Sequence, residues 1–225
     1  RDNLYGILNG INYDEFNPNT DPNIYANYGT DDMTNKVKNK TALQNELGLS
    51  AGDNVPVVGI VSRLTNQKGL DLIKEELKEI MKNDIQFAVL GSGDEYYEDF
   101  FREAKREYPG KVGVYIGFNA ELAPKIYAGS DMFLMPSKFE PCGLGQMIAL
   151  RYGTIPVVRA TGGLKDTVHE FDAISGKGNG FTFGEYTRSA LVKTLNRAAR
   201  LYRERPDAWR LLMRNAMQAD FSWHK

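Results

Sequence analysis

The run Ser137-Lys138-Phe139-Glu140-Pro141-Cys142-Gly143-Leu144 places one carboxylate just ahead of glycines that open an apolar helical pattern, Gln146 to Tyr152. Glu140 can accept hydrogen bonds from sugar hydroxyls. The free amides and the positive dipole end at the start of the helix can receive a phosphate. Far upstream, Ser62-Arg63-Leu64-Thr65-Asn66-Gln67-Lys68-Gly69 sets two cations on a loop that enters a helix. Arg supplies a planar fork of donors and Lys a compact point charge, so the pair suits a diphosphate leaving group that gains negative charge as its bond breaks. Together the two runs point to transfer of a nucleotide-activated sugar. Taken separately, Arg63 and Lys68 also fit a solvated loop, and Glu140 also fits a helix N-terminal acid satisfied by the dipole.

Other runs carry weaker signals. Gly91-Ser92-Gly93-Asp94 lets a backbone approach a ligand, with Asp94 able to cap the next helix, but it lacks the dinucleotide-fingerprint spacing and fits a simple turn as well. Phe118, in Tyr115-Ile116-Gly117-Phe118-Asn119, could stack on a base or pack under its loop. Thr161-Gly162-Gly163-Leu164, with Asp166 and Thr167 beyond it, reads either as a loop closing over a ligand or as a turn with a capped short helix. Cys142 has no histidine near it in sequence, since only His169 and His224 exist, and reads as a buried structural thiol. Trp209 and Trp223, with Leu211, Leu212 and Met213, read as helix packing or as a docking face for another domain.

The elements that must position these residues follow from periodicity. Helices are predicted over Asn35 to Leu47, Leu70 to Met81, Glu95 to Tyr108, Ala120 to Ala128 and the Gly143 segment, with two more before Phe221. Strands are predicted over Val57 to Val61, Gln86 to Leu90, Val112 to Ile116, Met132 to Met135, Ile155 to Val158 and near Gly180 to Phe183. Short apolar strands alternating with amphipathic helices imply an α/β fold, a single Rossmann-like, doubly wound parallel sheet with ligands beyond the carboxyl ends of its strands. Residues 1–34, rich in Asn, Asp, Tyr and Gly, read as an extended interdomain linker, and 35–225 as one domain.

With 225 residues, 42% of them hydrophobic, the chain can bury a core, and a net charge of -1 gives no reason to expect a nucleic-acid or membrane surface. The lone Cys142 forms no internal disulfide, and no cysteine or histidine pattern suggests a metal. A reducing, cytoplasmic location is expected, with no transmembrane segment. The chain opens at Arg1 without an initiator methionine and is expected to be a fragment.

In order and wording these runs resemble one family, the bacterial-type glycogen and starch synthases among retaining glycosyltransferases of the two-Rossmann-domain (GT-B) architecture. The match runs through Gly6-Ile7-Leu8-Asn9-Gly10-Ile11, the Arg63 and Lys68 loop, Ile116-Gly117-Phe118, the Glu140 run, Arg151-Tyr152-Gly153-Thr154, Thr161-Gly162-Gly163-Leu164 with Asp166-Thr167-Val168, Gly180-Phe181 and Phe221-Ser222-Trp223. The resemblance implies glucose transfer from ADP-glucose, less often UDP-glucose, to the non-reducing end of an α-1,4-glucan, with retention and without a metal or other cofactor. It implies that Arg63 and Lys68 hold the distal phosphate and that Glu140 binds glucosyl hydroxyls. Sugar and phosphate oxygens are taken by the amides of Cys142, Gly143, Leu144 and Gly145, Asn9 reaches the sugar, and Phe118 stacks on adenine. Losing one cation would then cost roughly 3 kcal/mol of barrier, about a hundredfold in rate.

Two departures stand out. Ile148 occupies the place of a second glutamate found in related transferases, and Gly145 stands where many relatives have Thr, which leaves that position only its amide. The resemblance also implies a preceding Rossmann domain, bearing the acceptor face, that would lie before Arg1. The isolated chain is expected to fold and to bind ADP weakly without turning over. The resemblance implies glycogen or starch as product, and a plastid location if the source is a plant. The competing readings are a different GT-B transferase, or a non-catalytic nucleotide- or glycan-binding module, and the joint presence of Arg63, Lys68 and Glu140 argues against the second.

Overall fold

The computed structural model describes residues 9–223, so Gly6, Ile7 and Leu8 of the N-terminal run, and His224, lie outside the described residues. The strands are β1 (Val57–Val61), β2 (Gln86–Gly91), β3 (Val112–Ile116), β4 (Met132–Met135), β5 (Ile155–Arg159) and β6 (Phe181–Phe183). The helices are α1 (Asn35–Leu47), α2 (Leu70–Lys82), α3 (Glu95–Glu107), α4 (Leu122–Gly129), α5 (Gly145–Arg151), α6 (Gly163–Thr167), α7 (Arg188–Glu204) and α8 (Pro206–Gln218). All strand pairs are parallel, in the order β3-β2-β1-β4-β5-β6. This is the doubly wound sheet that the alternation predicts, with element ends shifted by a residue or two.

Alternate residues of each strand feed opposite layers. Val58 and Ile60 of β1, Phe87 and Val89 of β2, and Leu134 of β4 join the core built with α2, α3 and α7. Val57, Ala88 and Leu90 turn the other way, onto Leu43 of α1 and Leu122 and Ile126 of α4. Burial on both faces explains why the strands read as continuous apolar runs. Full burial of each such side chain is worth about 1.5–3 kcal/mol, and the helices supply matching stripes, such as Leu70, Ile73, Leu77 and Ile80 on α2.

The buried face of α1 is polar instead: Lys36, Asn39, Lys40 and Gln44 lie inward beside Leu43 and Leu47. Each has a partner. Lys36 Nζ donates to Ala128 O (2.9 Å), Tyr152 O (3.1 Å) and Thr154 Oγ1 (2.8 Å). Lys40 pairs with Asp131 at 2.9 Å, Asn39 Nδ2 donates to Ala26 O at 2.7 Å, and Gln44 Nε2 donates to Gln86 Oε1 at 2.8 Å.

Residues 9–34 contain no helix or strand, yet Ile11, Ile24 and Tyr28 are buried in the same core as Phe133 and Tyr152. Tyr28 donates to Tyr152 O at 2.7 Å, and Tyr152 donates to the buried Asp21 at 2.5 Å. The Arg151 guanidinium lies over the Tyr13 ring at 4.3 Å. The Arg-Tyr-Gly-Thr run thus anchors the leading segment. Ile11 N donates to Phe221 O at 2.8 Å, joining that segment to the residues after α8.

Burial pushes the Lys36 ammonium from 10.5 down to about 7, with Asp131 raising it and Lys40 lowering it further. The unfolded chain keeps this proton to about pH 10.4, so the folded state gains stability as pH rises across that window and loses it as pH falls through the folded value. Urea unfolding should show roughly 1–2 kcal/mol more stability at about pH 9 than at about pH 7, a difference that disappears in Lys36→Met. Equal pH dependence in the two proteins would exclude Lys36 as the group responsible.

Candidate functional site

Between β1 and β4 the order of the sheet reverses: the chain builds outward from β1 to β3, then crosses back to place β4 on the other side of β1. Loops leaving the carboxyl ends of two such strands diverge and leave a crevice between them. Here they are the 62–69 loop after β1 and the 136–144 loop after β4.

The two loops are joined by paired polar groups. Lys138 N donates to Gln67 O at 2.9 Å and Gln67 Nε2 to Phe139 O at 3.0 Å. Lys138 Nζ donates to Asn66 Oδ1 at 2.6 Å. At the centre Lys68 Nζ donates to Glu140 Oε2 at 2.6 Å, and Ser137 Oγ donates to the same oxygen at 3.2 Å. Glu140 is only 6% exposed, and its second oxygen is left to accept from a ligand.

Arg63, Lys68, Glu140, Gly143, Leu144 and Gly145 line one cavity of about 220 Å³ in this crevice. Arg63 is exposed and has no carboxylate partner among the described residues, so its charge is available. Small-ligand sites run about 300–1,000 Å³, so this cavity is smaller than a site that encloses a whole drug-sized ligand. A larger cavity of about 510 Å³ lies between α1 and α8, but the Lys36 and Lys40 ammonium groups at its base are already bonded within the protein. Those bonds leave neither group free to read a ligand.

Phe118, Asn9 and Cys142 do not line the 220 Å³ cavity. Phe118 follows β3 and is 89% exposed, so it does not pack under its loop. Asn9 is exposed at the start of the described chain. Cys142 is exposed, which corrects the expectation of a buried thiol. The physical reason lies in its backbone: the carbonyl is drawn inward to accept from Gln146 Nε2 at 3.2 Å, which leaves the side chain facing out.

The remaining glycine runs support the site from below. A Cβ on Gly162 would stand 2.0 Å from Glu140 O, and one on Gly163 2.0 Å from Cys142 O. Gly163 N donates to Glu140 O at 3.1 Å. Thr161-Gly162-Gly163-Leu164 is therefore the turn into α6, and its glycines let it press against the Glu140 loop. Gly91-Ser92-Gly93-Asp94 does the same for the Arg63 loop, with Leu64 N donating to Ser92 O at 2.9 Å and Asp94 N to Leu64 O at 2.8 Å. Asp94 stands at the N-cap of α3 but its side chain makes no capping bond; Glu98 instead reaches back to accept from Gly93 N at 3.0 Å.

Three contributors were not singled out by sequence. Ser137 and Gln67 lie within the Glu140 and Arg63 runs, and only the facing of the two loops gives them a role. Gln146 Nε2 donates to Gly143 O at 2.9 Å and Thr167 Oγ1 at 3.1 Å as well as to Cys142 O, so it pins the Glu140 loop to α6. A polar residue at an inward position of an apolar helix is the signal that could have found it.

The chain is 60% identical over 220 residues, 98% of its own length and 44% of the relative's, to a glycogen synthase of Desulforudis audaxviator. It is 56% identical over 220 residues, 98% of its length and 45% of the relative's, to a glycogen synthase of Moorella thermoacetica. It thus spans less than half the length of these curated relatives. It superposes with a TM-score of 0.91 and 39% identity, over 97% of its length and 46% of that chain, on the catalytic domain of starch synthase IV from Arabidopsis thaliana bound to ADP and acarbose. A family model described as glycosyl transferases group 1 matches residues 45–210, well over half of the chain, and the chain belongs to that family.

Proposed function

We propose that this chain is the donor-binding domain of an α-1,4-glucan synthase, which holds ADP-glucose while glucose passes, with retained configuration, to the non-reducing end of a glycogen or starch chain. One observation carries the reading: Lys68 and Glu140 meet at 2.6 Å beside a free Arg63 in the crevice between β1 and β4. The relatives named as glycogen synthases and the starch synthase bound to ADP support it.

In this reading Arg63 and Lys68 neutralise the leaving diphosphate without a metal. Lys68 turns from Glu140 toward a phosphate oxygen when the donor enters, and the released Glu140 carboxylate accepts from glucosyl hydroxyls. Amides of Cys142, Gly143, Leu144 and Gly145 receive sugar and phosphate oxygens, Asn9 reaches the sugar, and exposed Phe118 offers its ring to the base. The acceptor face is assigned to a second, N-terminal domain like that of the full-length relatives, so turnover requires both. A cytoplasmic setting fits the unpaired Cys142.

Arg63 is the cleaner cation to remove, because no protein ion pair is lost with it. Calorimetric titration should show Arg63→Ala weakening ADP binding by about tenfold or more, with unfolding stability within about 0.5 kcal/mol of wild type. Unchanged ADP affinity would remove Arg63 from the site, and a wild-type chain that bound none of ADP, ADP-glucose and UDP-glucose would sink the donor-domain reading.

Glu140→Gln should separate sugar from phosphate recognition. Its affinity for ADP should hold or rise, since Lys68 is freed, while the advantage of ADP-glucose over ADP should fall by about tenfold. Equal loss for both ligands would show that Glu140 does not read the sugar.

A further inference from the structure

Tyr127, in the last turn of α4, lines the same cavity as Arg63, Lys68 and Glu140. It is 6% exposed, and its ring is held by Phe133 at 4.9 Å and Tyr152 at 6.2 Å between centroids. Other buried or half-buried tyrosine hydroxyls are bonded within the protein: Tyr28 to Tyr152 O, Tyr152 to Asp21, Tyr186 to Asp71. The Tyr127 hydroxyl makes no hydrogen bond among the described residues. The hydroxyl opens onto the cavity, so it is available to bond with what the cavity receives.

Gly145 supplies the geometry. A Cβ built there would stand 3.0 Å from Phe133 Cε1 and 3.4 Å from the Tyr127 hydroxyl oxygen. The hydroxyl therefore reaches the cavity at residue 145, which offers no side chain of its own, and any larger residue would crowd the Tyr127 and Phe133 rings. Arg63 and Lys68 line the same space, so an acceptor arriving there is an anionic oxygen. Burial raises the Tyr127 hydroxyl above its ordinary value, which keeps it a donor.

We propose that the Tyr127 hydroxyl donates a hydrogen bond to the diphosphate of the bound nucleotide sugar, a specificity contact made possible by the missing side chain at Gly145. This rests on the donor-binding reading above. An O–H bond to a charged oxygen is short and strong.

Tyr127→Phe removes the oxygen and keeps the ring. Titration with ADP and with ADP-glucose should show about tenfold weaker binding of both by the same factor, because the diphosphate is common to them, with an unchanged thermal midpoint. Three results would overturn the assignment: unchanged ADP affinity, a loss confined to ADP-glucose, which would put the hydroxyl on the sugar, or a lowered thermal midpoint, which would show a bond within the protein. The wild-type titration keeps the two readings apart. If wild type binds and Tyr127→Phe binds equally well, only this inference falls; if wild type binds none of ADP, ADP-glucose and UDP-glucose, both fall.

Discussion

Lys68 and Glu140 meet at 2.6 Å across the crevice, and the loops on either side are built around that contact. Both side chains are largely withdrawn from water, at 17% and 8% exposure, so each charge depends on the other. Removing one partner of a buried pair typically costs about 3–5 kcal/mol, because the charge left behind is uncompensated. The contact therefore requires two loops held in fixed relation. Gln67 and Lys138 join them edge to edge, Gln146 ties down Cys142 O and Gly143 O, and Gly162 and Gly163 allow α6 to press against the back of Glu140.

That rigidity continues on the far side of the sheet, by a different physical means. The α2, α3 and α7 layer is held by apolar burial, which tolerates exchange among residues of similar volume. The α1 layer and the leading segment are held by directed polar contacts through Lys36, Asn39, Lys40, Tyr28 and Tyr152, which demand one arrangement. Arg151-Tyr152-Gly153-Thr154, quoted in sequence as part of a catalytic family's wording, acts here as the anchor of residues 9–34. The site is thus fixed from β4 and α5 through Tyr152 to a segment more than a hundred residues earlier in the chain.

Much of the architecture was legible because it rests on local periodicity. Val57–Val61, Gln86–Gly91 and Met132–Met135 read as buried strands from composition alone, and α2 and α3 from their apolar spacing. Side-chain exposure was less legible. Cys142 points outward although cysteine is usually buried, since a hydrogen bond to its carbonyl, not its side chain, sets the loop. Asp94 has the right type and place for a cap, yet its side chain makes no capping bond, and Glu98 accepts instead from Gly93 N ahead of the helix. The glycine runs at 91–93 and 162–163 announced close backbone approach, but what approaches is another loop of the chain.

The sequence by itself determined the residue types able to hold a diphosphate and a sugar, and the alternation that places them after parallel strands. Only the tertiary structure decided that Lys68 and Glu140, 72 residues apart, share one cavity with Arg63 while Phe118 stands outside it. It also decided that Tyr127, unremarkable in an apolar helix, brings a free hydroxyl to Gly145. The reason is physical: periodicity is a property of neighbours along the chain and survives in the sequence. The meeting of β1 with β4 comes from a crossover that reverses the order of the sheet, and the side chains it brings together carry no mark of each other in one dimension.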